Sequence, residues 1–547
     1  MSAAFRPNHV PARPLAGLAE LLGLRTTDPQ LTSHPAVLTG VTHDSRAVQA
    51  GDLYAALPGA TTHGARFCGQ AAAAGAAAVL TDPAGRDSAI SAGLPVFVVG
   101  DPRARLGEVA AWIYGDPSER IMMIGVTGTA GKSTTTYLLA SGLRAAGYQA
   151  GMIGGVETRI GDVAVASSLT TPEAADLQAL LAVMAERGVG AAAMEVSSHA
   201  LVQGRVAGTR YDVAVFLNLS QDHLDFHGSM DEYFAAKAQL FTSRYARAGV
   251  VNVDDDRGRE LAETTSIPVT TFSATGRRAD WRAVDVRSGA DGSTFRVIGP
   301  GGVEADGSVP LPGEFNVANA LAAIVALVET GISLSAAVAG VAASEGPAGR
   351  LERVDQGQDF TVLVDYAHKP GAVEALLTVM RRVTQGNLTI VLGCGGDRDR
   401  GKRPLMGAAA ARLADTAIFT SDNPRSEDPL AILAEMLAGA VGVPQRDRAH
   451  VTLEPDRSTA IGLAIGSAGK GDVVLIAGKG HERGQYIGSA VIPFDDREVA
   501  AQALLRRRSS DEEGSQAGGW TAAAAGAADI SSDDMDAELA IEFPEDV

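Results

Sequence analysis

The stretch "IMMIGVTGTAGKSTTTYLLASGLRAAG" constrains this chain more than any other. It reads as a buried apolar strand, a tight glycine loop and a helix that stops at Gly147. Gly128 and Gly131 allow a turn tight enough for backbone amides to face one anion. Lys132 would neutralise phosphate oxygens, Ser133 would offer a hydroxyl to Mg²⁺, and the helix N-terminus would add its positive end. The strict phosphate-loop pattern has glycine at position 126, where this chain has Val126, so the match is to the shorter GTxGK[ST] form. Such a strand–loop–helix unit names a nucleotide, ATP or GTP, without naming a reaction.

Around this unit, strand-like runs alternate with helical stretches, the signature of α/β folds with parallel sheets. "GAAAMEVSS" and "DVAVFLNL" are further strands of the same region. A second series, "FTVLVDYAH", "LTIVLGCGG", "TAIFTSDNP" and "DVVLIAGKG", follows Arg350, and each run ends in polar or glycine residues. Ligands of open α/β sheets gather at the carboxyl ends of strands, so these four endings predict one shared cleft. "IYGDPSE" supplies a break before the phosphate-loop strand. The expected units are therefore a small α/β domain over 1–115, a central phosphate-loop domain over 116–346 and a C-terminal Rossmann-like domain over 347–508. Residues 509–547 read as a disordered tail, because Asp511 to Val547 holds eleven acidic residues and no Lys or Arg.

Composition narrows the class further. The net charge of −19 argues against electrostatic binding of nucleic acid or an anionic membrane. Two cysteines, Cys68 and Cys394, form no disulfide framework and suggest a reducing cytoplasm, and no run reaches the length of a membrane span.

Many ordered motifs together resemble the Mur ligases, ATP-dependent amide-forming enzymes that build the cell-wall peptide on UDP-N-acetylmuramic acid. They are "GTAGKST", "TTPE", "MEVSSHALVQGR", "NLSQDHLDFHG", "YFAAKAQLF", "GEFNVANALAA", "DYAHKP", "GCGGDRDRGKRP", "SDNPRSEDP" and "AGKGHE". The resemblance runs to about residue 507 and is nearest to the members that add the third amino acid. It implies a monomer working in peptidoglycan precursor synthesis with ATP and Mg²⁺. Two positions depart from the family pattern: Ala130, where Asn is usual, and Lys369, where Thr or Asn is usual.

The resemblance implies roles residue by residue. Gly128, Thr129, Ala130, Gly131, Lys132, Ser133 and Thr134 would hold the ATP phosphates, with adenine and ribose between domains near Asn319, Arg350, Asp365 and His368. Ser133, Glu195, His223 and Lys237 would support Mg²⁺, Lys237 as a carbamate formed from CO₂, and Lys132 would join them in catalysis. By itself, Lys237 in "YFAAKAQLF" reads as a snorkelling lysine on an amphipathic helix. Ser45 and Arg46, then Thr170, Thr171, Ser197, Gln203 and Arg205, would contact UDP-N-acetylmuramoyl-L-alanyl-D-glutamate.

The incoming amino acid would meet Arg398, Asp422, Asn423, Pro424, Arg425, Gly478 and Glu482. In the family "DNPR" marks the meso-2,6-diaminopimelate enzymes, whose substrate carries a distal carboxylate that L-lysine lacks. Arg425 is the natural bidentate partner for that group. On its own the stretch reads first as a solvated turn with a local salt bridge from Arg425 to Asp422, Glu427 or Asp428. Adding L-lysine, a folylpolyglutamate-synthase-like reaction and a nucleotide-driven switch are the alternatives.

Overall fold

The computed structural model describes residues 5–24, 35–59, 61–167 and 169–521. Three open sheets organise them. The first is four parallel strands, Gly40–Thr42, Asp52–Ala56, Ala78–Thr81 and Val96–Val98, packed on helix Pro102–Tyr114. That helix ends at Gly115 in the left-handed conformation (φ 73°), a C-cap glycine that turns the chain into the next unit.

The second sheet has eleven strands. Its parallel body runs in the order Ala150–Ile153, Ala191–Glu195, Met122–Thr127, Tyr211–Phe216, Ala246–Asn252, Val269–Ser273 and Trp281–Gly289. Antiparallel strands extend both edges. Met122–Thr127 lies between strands that come later in sequence, which makes the loop after it a topological switch point. Register places Glu195 beside Val126 and Phe216 beside Thr127, so three strand ends meet at the phosphate loop. Val126 is therefore a core strand residue, fully buried, and the loop opens only at Gly128. Glycine is needed one residue earlier: a Cβ at Gly125 would sit 2.8 Å from the Tyr211 ring.

The third sheet is ordered Glu352–Arg353, Thr361–Asp365, Val473–Ala477, Leu388–Cys394, Thr416–Ser421 and His450–Leu453. Its four inner strands are parallel and end level with one another, Asp365 beside Ala477 and Cys394 beside Ser421. Near-continuous apolar strand sequences follow from burial on both faces. The last helix, Asp496–Thr521, is pinned by buried Ala500 and Leu504 and runs past residue 508. The segment expected to leave the fold at 509 thus begins inside a helix, and the rest of that expected tail lies outside the described residues. No described helix is long and apolar enough to cross a membrane.

Candidate active site

Gly128 (φ 154°) and Gly131 (φ 88°) both adopt the backbone conformations that glycine permits, as expected. A Cβ at Gly131 would lie 2.3 Å from Asn319 Oδ1, which fixes Asn319 against the loop. The loop is clamped from the neighbouring strand end: Ala130 N–H donates to Asn218 Oδ1 (2.9 Å), and Asn218 Nδ2 donates to Ala130 O (3.1 Å). Both bonds use the backbone of residue 130, so its side chain takes no part in the clamp. Asn218 lies inside "NLSQDHLDFHG" but carries no sequence signal of this clamp.

Lys132 Nζ donates to Gly128 O (2.9 Å) and Thr129 O (3.0 Å), and Lys237 Nζ donates to the same Gly128 O (2.9 Å). Lys237 is only 1% exposed, so the snorkelling reading fails; it sits on helix Met230–Ala238 with Nζ over the Tyr233 ring. Among the described residues, neither lysine has a carboxylate within 4 Å. Burial, then the Lys132 charge, pull the Lys237 amine down to about 6. Burial also lowers Lys132. A largely neutral Lys237 at neutral pH has a free lone pair, the form that reacts with CO₂.

Glu195 is buried at its strand end, with Oε1 accepting from Gly155 N–H (2.9 Å). His223 (φ 54°) is half exposed, next to Asp222 and edge-on to His199 (4.7 Å between ring centroids). Lys369, on the opposing unit, reaches Asp222 at 3.6 Å. Its departure from the family pattern thus gives a cross-cleft ion pair.

Thr171 is fully buried and links the segments implicated in sugar-peptide binding. Its Oγ1 donates to Glu195 O (2.9 Å) and accepts from Ser197 N–H (3.1 Å), while Arg205 donates to Thr171 O (3.3 Å). Glu173 of the same "TTPE" joins Arg205 (3.0 Å) to Arg103 of the first unit (3.3 Å), a partner absent from the sequence reading. Thr170 lines the phosphate cleft, and Gln203 caps the short helix Ser198–Val202. Ser45 and Arg46 stand apart: Ser45 donates to Gln70, and exposed Arg46 pairs with Asp44.

Two clefts meet where the second and third sheets face each other, rather than the single cleft expected. The first, about 570 Å³, is lined by Thr129 to Thr134, Thr170, Glu195, Arg350, His368 and His481. Beside it, a pocket of about 790 Å³ opens from Ala130 and Gly131 along Asn252, Phe272, Val286 and Phe315 to Asn319. This second space belongs to the central sheet, with Asn319 on its wall, while Arg350 and His368 line the first cleft across from the phosphate loop. Asp365 is held by the backbone around it. Its carboxylate accepts from Leu351 N–H (2.9 Å) and Ala367 N–H (2.8 Å), and burial raises its pKa. Arg350 stacks over Tyr366 (4.8 Å), and its buried Nε lacks a partner among the described residues.

The other cleft, about 850 Å³, is lined by Arg398, Asn423, Arg425, His481, Glu482, Tyr486 and Arg497, with Glu157 opposite. Arg425 (φ 51°) is held in the left-handed conformation by hairpin Gly484–Pro493: its N–H donates to Tyr486 O (2.9 Å), and its O accepts from Gly488 N–H (2.7 Å). The guanidinium donates to Gly396 O (2.8 Å) and leans over the Tyr486 ring. It pairs with none of its acidic neighbours. Glu427 is held by buried Arg403 (2.8 Å), which depresses it to about 2, and Asp428 caps helix Pro429–Val441. The solvated-turn reading is therefore wrong: among the described residues, Arg425 has no carboxylate within 4 Å.

Asn423 is buried, with Nδ2 donating to Glu482 Oε2 (2.9 Å) and Oδ1 accepting from Lys479 Nζ (3.0 Å). Fully buried Lys479 also reaches Glu482 (3.2 Å) and Gly484 O (2.7 Å), so it sets the Glu482 carboxylate. Lys479 lies inside "AGKGHE", where no local signal marks its burial. Gly478 (φ 115°) gives space to Asp422, which a Cβ would approach at 2.8 Å, and Pro424 O crowds Gly396. Arg398 is exposed at the cleft rim.

A phosphate loop at a switch point, facing a second parallel sheet whose strand ends carry unpaired cations, defines a nucleotide-dependent ligase of the multidomain α/β class. Family models agree: the Mur ligase family, catalytic domain matches residues 37–114, the Mur ligase middle domain 126–327, and the Mur ligase, glutamate ligase domain 349–480. A UDP-N-acetylmuramoyl-L-alanyl-D-glutamate–2,6-diaminopimelate ligase of Streptomyces coelicolor is 59% identical over 500 residues, covering 91% of this chain and 98% of the relative. A UDP-N-acetylmuramyl-tripeptide synthetase of Leifsonia xyli is 47% identical over 507 residues, 92% and 98% of the two chains. A solved UDP-N-acetylmuramoyl-L-alanyl-D-glutamate–2,6-diaminopimelate ligase superposes with TM-score 0.69 at 32% identity, over 91% of this chain and 100% of that one. Mycobacterium tuberculosis folylpolyglutamate synthase shares the fold at 18% identity (TM-score 0.54; 74% and 95% covered). The chain belongs to the Mur ligase family, whose members are ATP-dependent.

Proposed function

We propose that this protein is the ATP-dependent ligase that joins meso-2,6-diaminopimelate to the D-glutamate carboxylate of UDP-N-acetylmuramoyl-L-alanyl-D-glutamate, in cytoplasmic peptidoglycan precursor synthesis. The observation that carries the reading is the pair of adjoining clefts, each holding cations with no carboxylate partner among the described residues, Lys132 and Arg350 in one and Arg398 and Arg425 in the other. An amide needs a carboxylate oxygen turned into a leaving group, and transfer of the ATP γ-phosphoryl does this by forming an acyl phosphate. The protein's work is then placement and charge neutralisation. Residues 1–115 would hold the sugar nucleotide, 116–346 the ATP and 347–508 the amino acid.

Lys132 and the loop amides would cradle the phosphates. Arg350, poised over Tyr366, would meet the charge that develops on the transferred group. Mg²⁺ suits the donors present: a Ser133 hydroxyl and a buried Glu195 carboxylate, completed by substrate phosphates, is the kind of site this hard cation takes. When bound, the cation would neutralise phosphate charge and polarise the phosphoryl oxygens. An ammonium at Lys237 would oppose such a site, whereas its carbamate adds a carboxylate-like anion next to Lys132, with His223 at the rim.

In the second cleft, the Glu482 carboxylate, set by Lys479 and Asn423, is suited to the distal ammonium. Arg425 would take the distal carboxylate and Arg398 the other. With L-lysine bound, Arg425 would be desolvated without its anion, a loss of about 2–5 kcal/mol. That corresponds to roughly thirty- to several-thousand-fold discrimination. Release of ADP tests the reaction when acceptor, amino acid or ATP is omitted in turn. Dependence on all three is expected; steady ADP release without amino acid would instead indicate a nucleotide-driven switch.

A further inference from the structure

The proposed ligation needs a step for which no residue has yet been named. An amino acid arrives with its nucleophile as an ammonium, which has no lone pair. The proton must leave where the acyl phosphate and the amine meet, at the junction of the two clefts. Two residues line both spaces, Val156 and His481, and only the second can take a proton.

We propose that His481 is the general base that deprotonates the attacking amine; the assignment rests on the ligase reading above. The imidazole Nδ1 is buried with no hydrogen-bond partner among the described residues, so the ring is not committed to a structural bond. It is fixed by packing instead, at 5.2 Å from the Tyr366 ring, which in turn carries Arg350. Its backbone is fixed as well: a Cβ at Gly349 would lie 2.2 Å from both Gly480 C and His481 N. The charged groups around the ring are Arg350, Arg497, Glu482 and Glu157. Burial, reinforced by the two arginines and opposed by the two carboxylates, lowers its pKa, so the ring is neutral at neutral pH and can accept. Of the nearby alternatives, Glu482 is occupied by Lys479 and Asn423, and burial raises the Tyr366 hydroxyl.

In the step, one ammonium proton passes to the imidazole, and the freed nitrogen lone pair attacks the acyl-phosphate carbonyl carbon. The C–N bond forms, and the C–O bond to phosphorus-bearing oxygen breaks with its electron pair leaving on phosphate. The second nitrogen proton leaves with that phosphate as hydrogen phosphate, and His481 returns its proton to solvent.

Hydroxylamine separates this role from a structural one, because it is already a neutral nucleophile near pH 7 and needs no base. In wild-type enzyme with ATP and the sugar-dipeptide, it should trap the acyl phosphate as a hydroxamate. His481→Gln should lose diaminopimelate ligation by about 100-fold or more, yet form hydroxamate at close to the wild-type rate. The acid limb of the wild-type pH profile should also disappear in the variant. Equal loss with both nucleophiles, or loss with neither, overturns the assignment while leaving the ligase reading intact. Absence of hydroxamate from wild-type enzyme overturns the ligase reading, and this proposal with it.

Discussion

Two regions of this protein bury basic side chains in opposite ways. Beneath the third sheet, Arg457 is wholly buried and holds equally buried Asp496 through two bonds of 2.7 Å, and Arg403 is shared by Glu427 and Glu435. At the phosphate loop, Lys132 and Lys237 converge on one carbonyl oxygen, that of Gly128, without a carboxylate. Charge paired with charge is architecture: it is satisfied before any ligand arrives. A basic group buried against carbonyls alone is left incomplete: Lys132 lacks the anion a substrate phosphate would bring, Arg425 lacks a carboxylate, and Lys237 is held largely neutral. Paired cations such as Lys479 and Arg497 occur in the site as well, so what marks it is the basic groups that still lack a counter-ion, Lys132, Arg350 and Arg425.

The largest expected effect breaks the paired side. Asp496→Ala leaves Arg457 buried alone and should cost about 3–5 kcal/mol in denaturant unfolding. The unpaired side should respond inversely. Lys237→Met should match or exceed wild-type stability, whereas Lys237→Ala should lose ligation by roughly 100-fold or more, about 3 kcal/mol of barrier. A short carboxylic acid in the buffer should restore part of that rate. Full activity in Lys237→Ala would remove the carbamate from the account.

Titration sharpens the contrast, because the two regions act in separate pH windows. Glu427 ionises near 2 when folded and near its ordinary 4.5 when unfolded. Its stabilising share is complete above the upper value and disappears as pH falls through the lower. Lys237 loses its proton near 6 when folded but near 10.5 when unfolded. Unfolding therefore takes up a proton between these values, and stability rises with pH across that window. Comparing wild type with Lys237→Met in unfolding experiments should show the difference shrinking as pH climbs from 6 towards 10.5. The smallest effect belongs to the cross-cleft pair: Lys369→Asn should shift stability by about 1 kcal/mol or less, since Lys369 and Asp222 are both solvent-accessible.

Much of the fold could be read from the chain because buried strands, glycine turns and helix ends have local signatures. The strand before Gly128 and the four strand ends after Arg350 were of this kind. What could not be read depended on register and on distant partners. Nothing local to Lys237 distinguishes a buried amine from a snorkelling one; only the packing of its helix against Gly128 does. Asn218, Lys479 and His481 stood inside recognised motifs, but their tasks depend on which strand end lies opposite. The pocket beside the phosphate loop was not read at all, because walls such as Phe272 and Phe315 carry no local signal of a cavity. Arg425 had three acids within a few positions, and only the structure shows each of them engaged elsewhere or turned away.

The central claim, that an unpaired guanidinium waits for the substrate's distal carboxylate, is tested most directly by competition. Equimolar meso-diaminopimelate and L-lysine are offered to the enzyme with ATP and the UDP-sugar-dipeptide, and the products are weighed by mass spectrometry. The diaminopimelate adduct should dominate by at least roughly thirty-fold, with that ratio collapsing in Arg425→Ala. Equal incorporation of the two amino acids by wild-type enzyme would contradict it.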